Sequence, residues 1–484
     1  METLRGDIVW HNVASSCTEL LEPMTAMTSL PEHTLVCHLI GRQTQPVSTI
    51  TRARLAQALL DWFTAGWSGA DMPAAATLRA LAVQCHPGSG TAPMFGGAPA
   101  SDMAAAFANT AIAHLREIDD AHRAAMLHPG IVAITPVLAL AAQQTLTQRQ
   151  VMDAIIAGYE VALRVGEALG ARHAARFHAT ATAGSIGAGA AAGVALGLPP
   201  DRLHHALGIA ATQAAGVWQL VDDGAHAAKP LHPAMAVRNG LTAAYAARAG
   251  LPGARAFITG KRGLYALLAG DGPLTALDGA LDAPERINTV TIKAWPCCAQ
   301  LFTPLDATHA LLEEHCIAPQ DVAAVEIVIF PHALKIAGVD WPSNSAETCF
   351  SLRYVVATLL LRGALRIQDM AAPELASPFL NALAARITIR TDEAFQRVFP
   401  HKRPSCVTIT LNDGRQFSAL RELRRGDPED PYDWPALQAR MRMFAPRMGD
   451  TTASAITTWC AAFADPAGDD SPCRPGVGLF GDGT

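Results

Sequence analysis

The chain has 484 residues, half of them hydrophobic and 17% charged, a balance that favours packed domains over disorder and, at this length, more than one core. A formal charge of −6 with no Lys/Arg run argues against general nucleic-acid binding, so an acidic substrate has to be held by a few placed cations. Ten cysteines without a paired framework or a C-x-x-C exclude a disulfide scaffold, a zinc ribbon and a thioredoxin-type site, and are read as reduced thiols in a cytoplasmic compartment.

The first ten residues, METLRGDIVW, carry charges of both signs and no apolar run before a cleavage site, so no signal peptide is expected. Ala104 to Ala113 has the composition of a buried helix. It runs into EIDDAHRAAMLHPG, residues 117–130, where three acids and two histidines crowd together. Burying such groups costs several kcal/mol each unless they are paired or used. Thr147-Gln-Arg-Gln150 is a capping box; the helix it opens turns Val151, Ile155, Tyr159, Ala162 and Val165 inward and stops near Gly170. Ala179 to Pro200 has no charged residue and the length of a membrane span. Its Ala, Gly, Thr and Ser content instead reads as a central packed helix, so no membrane partner is expected. Pro199-Pro200-Asp201 opens another helix, and Pro233 sits in the first turn of one that ends near Gly250.

After Gly270-Asp-Gly-Pro273 the pattern changes. Residues 288–293, 325–330, 386–390, 406–411 and 416–420 alternate as strands, the last two joined by the turn Asn412-Asp-Gly-Arg415; 303–315 and 350–363 are helical. The fold class is mainly α: a large all-helical domain over 1–270 and a smaller α+β lid domain over 271–424. Residues 425–464 return as helix onto the first domain, and the Gly-, Pro- and Asp-rich stretch 465–484 reads as a disordered tail.

Four places carry chemistry. In the first, Asp119-x-x-His122 with His128 has the spacing of metal ligands, but solvated helix-end acids are common and no second tight cluster exists; no metal is expected, and Asp119 and Asp120 orient a histidine or cap backbone N–H groups. In the second, His178 enters the uncharged helix; its ordinary alternative is a satisfied core histidine. In the third, Lys229 and His232 precede or begin a helix, where the free N–H groups and the dipole favour an anion. In the fourth, Lys293 ends an apolar strand at a domain boundary and can close over a ligand, while Arg353 and Tyr354 offer a guanidinium and a phenol on the lid. No phosphate loop, nucleophile elbow or H-E-x-x-H occurs, and the Gly-x-Gly at 187–189 lies within the alanine-rich helix.

Read together, Asn109-Thr-Ala-Ile-Ala-His114, EIDDAH, His128-Pro-Gly130, Phe177-His-Ala-Thr-Ala-Thr-Ala-Gly184, Ala228-Lys-Pro-Leu-His232, Lys293-Ala-Trp-Pro-Cys-Cys298, Ser351-Leu-Arg-Tyr354 and Arg425-Gly-Asp-Pro-Glu-Asp430 resemble the MmgE/PrpD family over roughly residues 50–445. That family includes 2-methylcitrate dehydratase, cis-aconitate decarboxylase and iminodisuccinate epimerase. The resemblance implies a helical domain with an α+β lid, a homodimer, and a site between the domains at Glu117, His128, His178, Lys229, Lys293 and Tyr354. It differs from the family's D-F-D-D-T-H motif at Glu117 and Ala121, has Ala179 where proline is usual, and has Phe302 where a histidine is common. The expected activity is that of a cofactor-independent lyase on a small di- or tricarboxylate, foremost a 2-methylcitrate-type dehydration; decarboxylation, epimerisation or carboxylate binding without turnover are the alternatives. Lys229, Lys293 and Arg353 would grip carboxylates and His128 and His178 would move protons. Tyr354 would protonate the leaving hydroxyl, and Glu117, Asp119, His122 and His232 would orient histidines or line the substrate pocket. An iron–sulfur hydratase is disfavoured by the cysteine spacing.

Overall fold

The computed structural model describes residues 30–481 except 346, 372–374 and 376. The amino-terminal reading therefore lies outside the described residues. The centre of the helical domain is the uncharged helix Ala179–Ala195, buried along its whole length. It packs against Pro129–Gln143, Gln148–Ala174, Pro200–Ala211 and Leu231–Arg248. Small residues permit this close approach: a Cβ on Gly240 would stand 2.5 Å from the backbone nitrogen of Gly189, and one on Gly187 would stand 2.6 Å from the Ala162 Cβ. Among the described residues no helix is long and apolar enough to cross a membrane.

The capping box forms as read, with Gln150 N–H donating to Thr147 Oγ1 at 3.2 Å and Thr147 N–H donating to Gln150 Oε1 at 2.9 Å. Gly170, at φ 77°, breaks that helix, and a further turn continues to Ala174. The stretch 271–292 departs from its expected place in the lid. Ala276, Leu277, Ile287, Val290 and Ile292 join the first core, and the second core begins at Ala294. Nor is 288–293 a strand. A short 3-10 turn, Arg286–Thr289, leads to a single antiparallel bridge between Thr291 and Ala121, because this segment crosses between domains and meets only loops: beyond the bridge, Ile292 N–H donates to the Gly426 carbonyl.

The lid holds a four-stranded sheet ordered Ile387–Thr391, Val322–Ile329, Ser405–Leu411, Gln416–Arg421; the first pair is parallel and the others antiparallel. Helices Phe302–His315 and Leu352–Arg362 cover its apolar face. The return helices Trp434–Phe444 and Asp450–Ala461 pack on the first core. The expected disordered tail is another correction: residues 465–481, though largely exposed, are anchored on the helical domain, with the Gln148 and Arg149 N–H groups donating to the carbonyls of Ser471 and Asp469. Cys473, Leu479 and Phe480 are buried, and the Phe480 ring lies 4.8 Å from Phe95 and 5.4 Å from Phe63, so a few apolar side chains anchor a polar, glycine-rich stretch.

Candidate active site

Helix Asp102–His114 ends in a buried histidine, and the loop after it folds back beneath that ring. Asp119 Oδ2 accepts from His114 Nδ1 at 2.9 Å and lies 3.3 Å from His128 Nδ1. His128 Nδ1 also stands 2.8 Å from the Asp120 carbonyl, which can only accept, so this nitrogen carries the proton. His128 and His178 immediately precede helices Pro129–Gln143 and Ala179–Ala195, and His128 N–H donates to Thr180 Oγ1, tying the two helix starts together. The three rings converge: His114 lies 4.8 Å from His128 and 5.8 Å from His178, centre to centre. His178 Nδ1 is 3.3 Å from His232 Nδ1, and Trp218 covers the His178 ring at 4.7 Å.

Both site lysines meet at Glu117. Lys229 Nζ pairs with its carboxylate and Lys293 Nζ donates to its backbone carbonyl. Glu117 holds φ 54°, a left-handed conformation that non-glycine residues seldom adopt. Arg440, from the return helix Trp434–Phe444, braces this arrangement from behind. It donates to the carbonyls of Lys293 at 2.6 Å and Ile118 at 2.8 Å and pairs with Asp61 at 2.8 Å. At the domain crossing Arg424 pairs with Asp427, and both bond the Thr291 hydroxyl.

Burial and charge set the protonation states. Burial, then Lys293, lowers His128 to about 4 against the opposing pull of Asp119. Burial and Lys229 hold His178 well below the usual histidine range. Burial would raise Asp119, but the facing His114 and His128 outweigh it and keep the carboxyl ionised. Burial opposes ionisation of Glu117 too, and Lys229 overcomes it. Asp120 is pushed up to about 8 by burial and by Asp61, even though Tyr159 Oη donates to it at 2.7 Å and Gly130 N–H at 2.8 Å. His128 and His178 are thus neutral imidazoles beside fixed cations and anions, in a setting where Coulomb forces are strong.

The structure gathers Glu117, Asp119, His128, His178, Lys229, His232 and Lys293. It does not bring in the other three predicted residues. His122 turns away: Nδ1 accepts from Ala125 N–H, Nε2 faces Thr289 Oγ1 at 3.1 Å, and burial drives the ring to about 3. Arg353 is held within the lid by Asp340 and the carbonyls of Ala384 and Ile387. Tyr354 is buried in the lid core, its hydroxyl donating to the Asp369 carbonyl at 2.6 Å. Both side chains find partners on their own domain because the helix that carries them, Leu352–Arg362, packs into the lid's own core. Sequence reading missed His114, Trp218, Tyr159 and Arg440 as parts of the site. Only His114 had a signal, as the polar end of an otherwise alanine-rich helix.

The MmgE/PrpD N-terminal domain profile matches residues 37–276 and the MmgE/PrpD C-terminal domain profile matches 295–461. The chain belongs to the MmgE/PrpD family. It is similar to cis-aconitate decarboxylase of Aspergillus terreus, 30% identical over 214 residues covering 43% of each chain. The cis-aconitate decarboxylase-like protein oryM of Aspergillus oryzae is 32% identical over 237 residues, 46% of this chain and 48% of that one. Cis-aconitate decarboxylase of Mus musculus is 26% identical over 297 residues, 58% of each. The matched stretch thus spans 43–58% of the length of these relatives.

Proposed function

We propose that this protein is a cofactor-independent lyase acting on a small di- or tricarboxylate, and within that class a decarboxylase of the cis-aconitate type. The observation that carries the reading is the convergence of His114, His128 and His178 beside Lys229 and Lys293. A substrate carboxylate would take the place of the Glu117 carboxylate on Lys229, and a second would approach Lys293. The bond from carbon to the leaving carboxylate then breaks, and its electron pair spreads through the adjacent double bond toward a carboxylate held by a lysine. Carbon dioxide departs, and the carbanion takes a proton that a histidine has picked up from solvent on its ring nitrogen, which returns the imidazole to its neutral form. Positioned acid–base groups contribute about 10²–10⁴-fold each.

Two observations favour decarboxylation over the 2-methylcitrate-type dehydration that the sequence first suggested. The named relatives are cis-aconitate decarboxylases, and Tyr354, the expected acid for a leaving hydroxyl, hydrogen-bonds within the lid. Proton NMR in D₂O with cis-aconitate, citrate, 2-methylcitrate and iminodisuccinate tests the reading, alongside carbon dioxide release. Decarboxylation of cis-aconitate is expected. Alkene formation from 2-methylcitrate would replace that chemistry with dehydration, and deuterium uptake without net conversion would indicate epimerisation. Binding without turnover of any of the four would overturn the lyase assignment. A homodimer and a cytoplasmic location belong to the same reading; light scattering and cell fractionation test them.

A further inference from the structure

We propose that His114, His128 and His178 form a site for a borderline divalent transition-metal ion, Zn²⁺ foremost, which shuts substrate out. Each histidine offers one ring nitrogen, and these nitrogens lie within 4.8 Å of one another. In a tetrahedral zinc site with Zn–N near 2.0–2.1 Å the donors stand about 3.4 Å apart, so the rings have to draw in by roughly an ångström. The three side chains come from three separate segments, one helix end and two residues that precede helices.

The outer contacts already suit a metal. Asp119 accepts from His114 Nδ1, and the Asp120 carbonyl accepts from His128 Nδ1, which leaves the lone pair of each Nε2 for a ligand. Histidine ligands in metal centres are commonly oriented by a carboxylate or carbonyl on the second nitrogen. His114 Nε2 is buried without a hydrogen-bond partner and Asp119 Oδ1 is likewise unsatisfied, the mark of a place built to face something else. The carboxylates of Asp119 and Glu117 offset the added charge, and both nearby lysines are engaged by Glu117. His122, which the Asp119-x-x-His122 spacing suggested as a ligand, faces Thr289 and takes no part.

The exclusion of substrate rests on the lyase reading; the binding of the ion does not. The test is calorimetric titration of chelator-stripped protein with ZnCl₂, with metal analysis after gel filtration. One Zn²⁺ per chain is expected. His114→Ala, His128→Ala and His178→Ala should each weaken it at least tenfold and Asp119→Asn 10–100-fold, while the exposed His401→Ala leaves it unchanged. Circular dichroism checks that each variant is folded. With cis-aconitate present, Zn²⁺ should raise the apparent KM and EDTA should reverse the effect. No stoichiometric Zn²⁺, or affinity indifferent to all three histidines, overturns the proposal. Stoichiometric Zn²⁺ that depends on the histidines, in a protein that turns over no acid, supports the metal site and removes the lyase assignment instead.

Discussion

Replacing Arg440 by Met should damage both stability and chemistry, and a second substitution separates the two. The guanidinium is 3% exposed and pairs with an equally buried Asp61, whose carboxyl is pushed up by burial and held down chiefly by Arg440. Removing one partner of such a pair leaves an uncompensated buried charge, at about 3–5 kcal/mol. Protonation of Asp61 relieves part of that, while the carbonyls of Lys293 and Ile118 lose charge-assisted bonds worth about 1.5–3 kcal/mol each. We therefore expect Arg440→Met to cost at least about 3 kcal/mol in urea denaturation. Adding Asp61→Leu removes the orphaned acid and should restore about 2 kcal/mol or more. Turnover should stay low in the double variant, because the backbone on both sides of the Glu117–Lys293 contact has lost its anchor. A cost below about 1 kcal/mol, or recovery of turnover along with stability, would refute the bracing role.

Other outcomes follow from the same geometry. His178→Ala should lower turnover by about 10²–10⁴-fold with an unchanged circular dichroism spectrum; full steady-state activity would remove His178 from the mechanism. Folding should weaken in mild acid, because burial lowers His173 from 6.5 to about 4 and His122 to about 3. A histidine depressed in the native state gives stability that is complete above its unfolded value and is lost as pH falls through the folded one. For His173 the gap between 6.5 and about 4 amounts to about 3 kcal/mol, read as a falling urea midpoint between those pH values; a flat profile contradicts it. Phe480→Ala should cost about 3–5 kcal/mol, as for a core aromatic, whereas a true disordered tail would lose nothing measurable by thermal denaturation.

Local patterns were legible wherever one residue's neighbours in sequence are also its neighbours in space. The capping box at Thr147, the proline that opens Pro200–Ala211 and the Asn412–Arg415 hairpin turn all depend on contacts within a few residues, and all form. Composition sufficed for the Ala179–Ala195 helix, since uncharged small residues have a favourable place only in a crowded interior. The failures are long-range. Arg353 and Tyr354 look available in sequence, but their partners at 340, 369, 384 and 387 are set by lid packing. Phe480 and Arg440 reach back hundreds of residues to Phe63 and Ile118, and no local period announces such contacts.

The site also shows how the protonation states are divided between elements. Lys229 and Lys293 lower the neighbouring imidazoles, yet Glu117 engages both lysines at once, one through its side chain and one through its backbone. A carboxylate ligand that displaces Glu117 frees that acid while taking over its cation, so the net charge around His128 and His178 changes on binding. Asp119 pairs instead with His114 and His128, which come from the helix before it and from its own loop. His128 and His178 are thus neutral and both lysines are paired, and on the lyase reading a substrate's own charge would disturb that balance. Replacing Glu117 by Gln should accordingly leave Lys229 without its resident carboxylate and raise the site's affinity for a simple dicarboxylate. Tighter binding by calorimetry is the expected result, and unchanged affinity would mean that Glu117 does not compete with the ligand for the lysine.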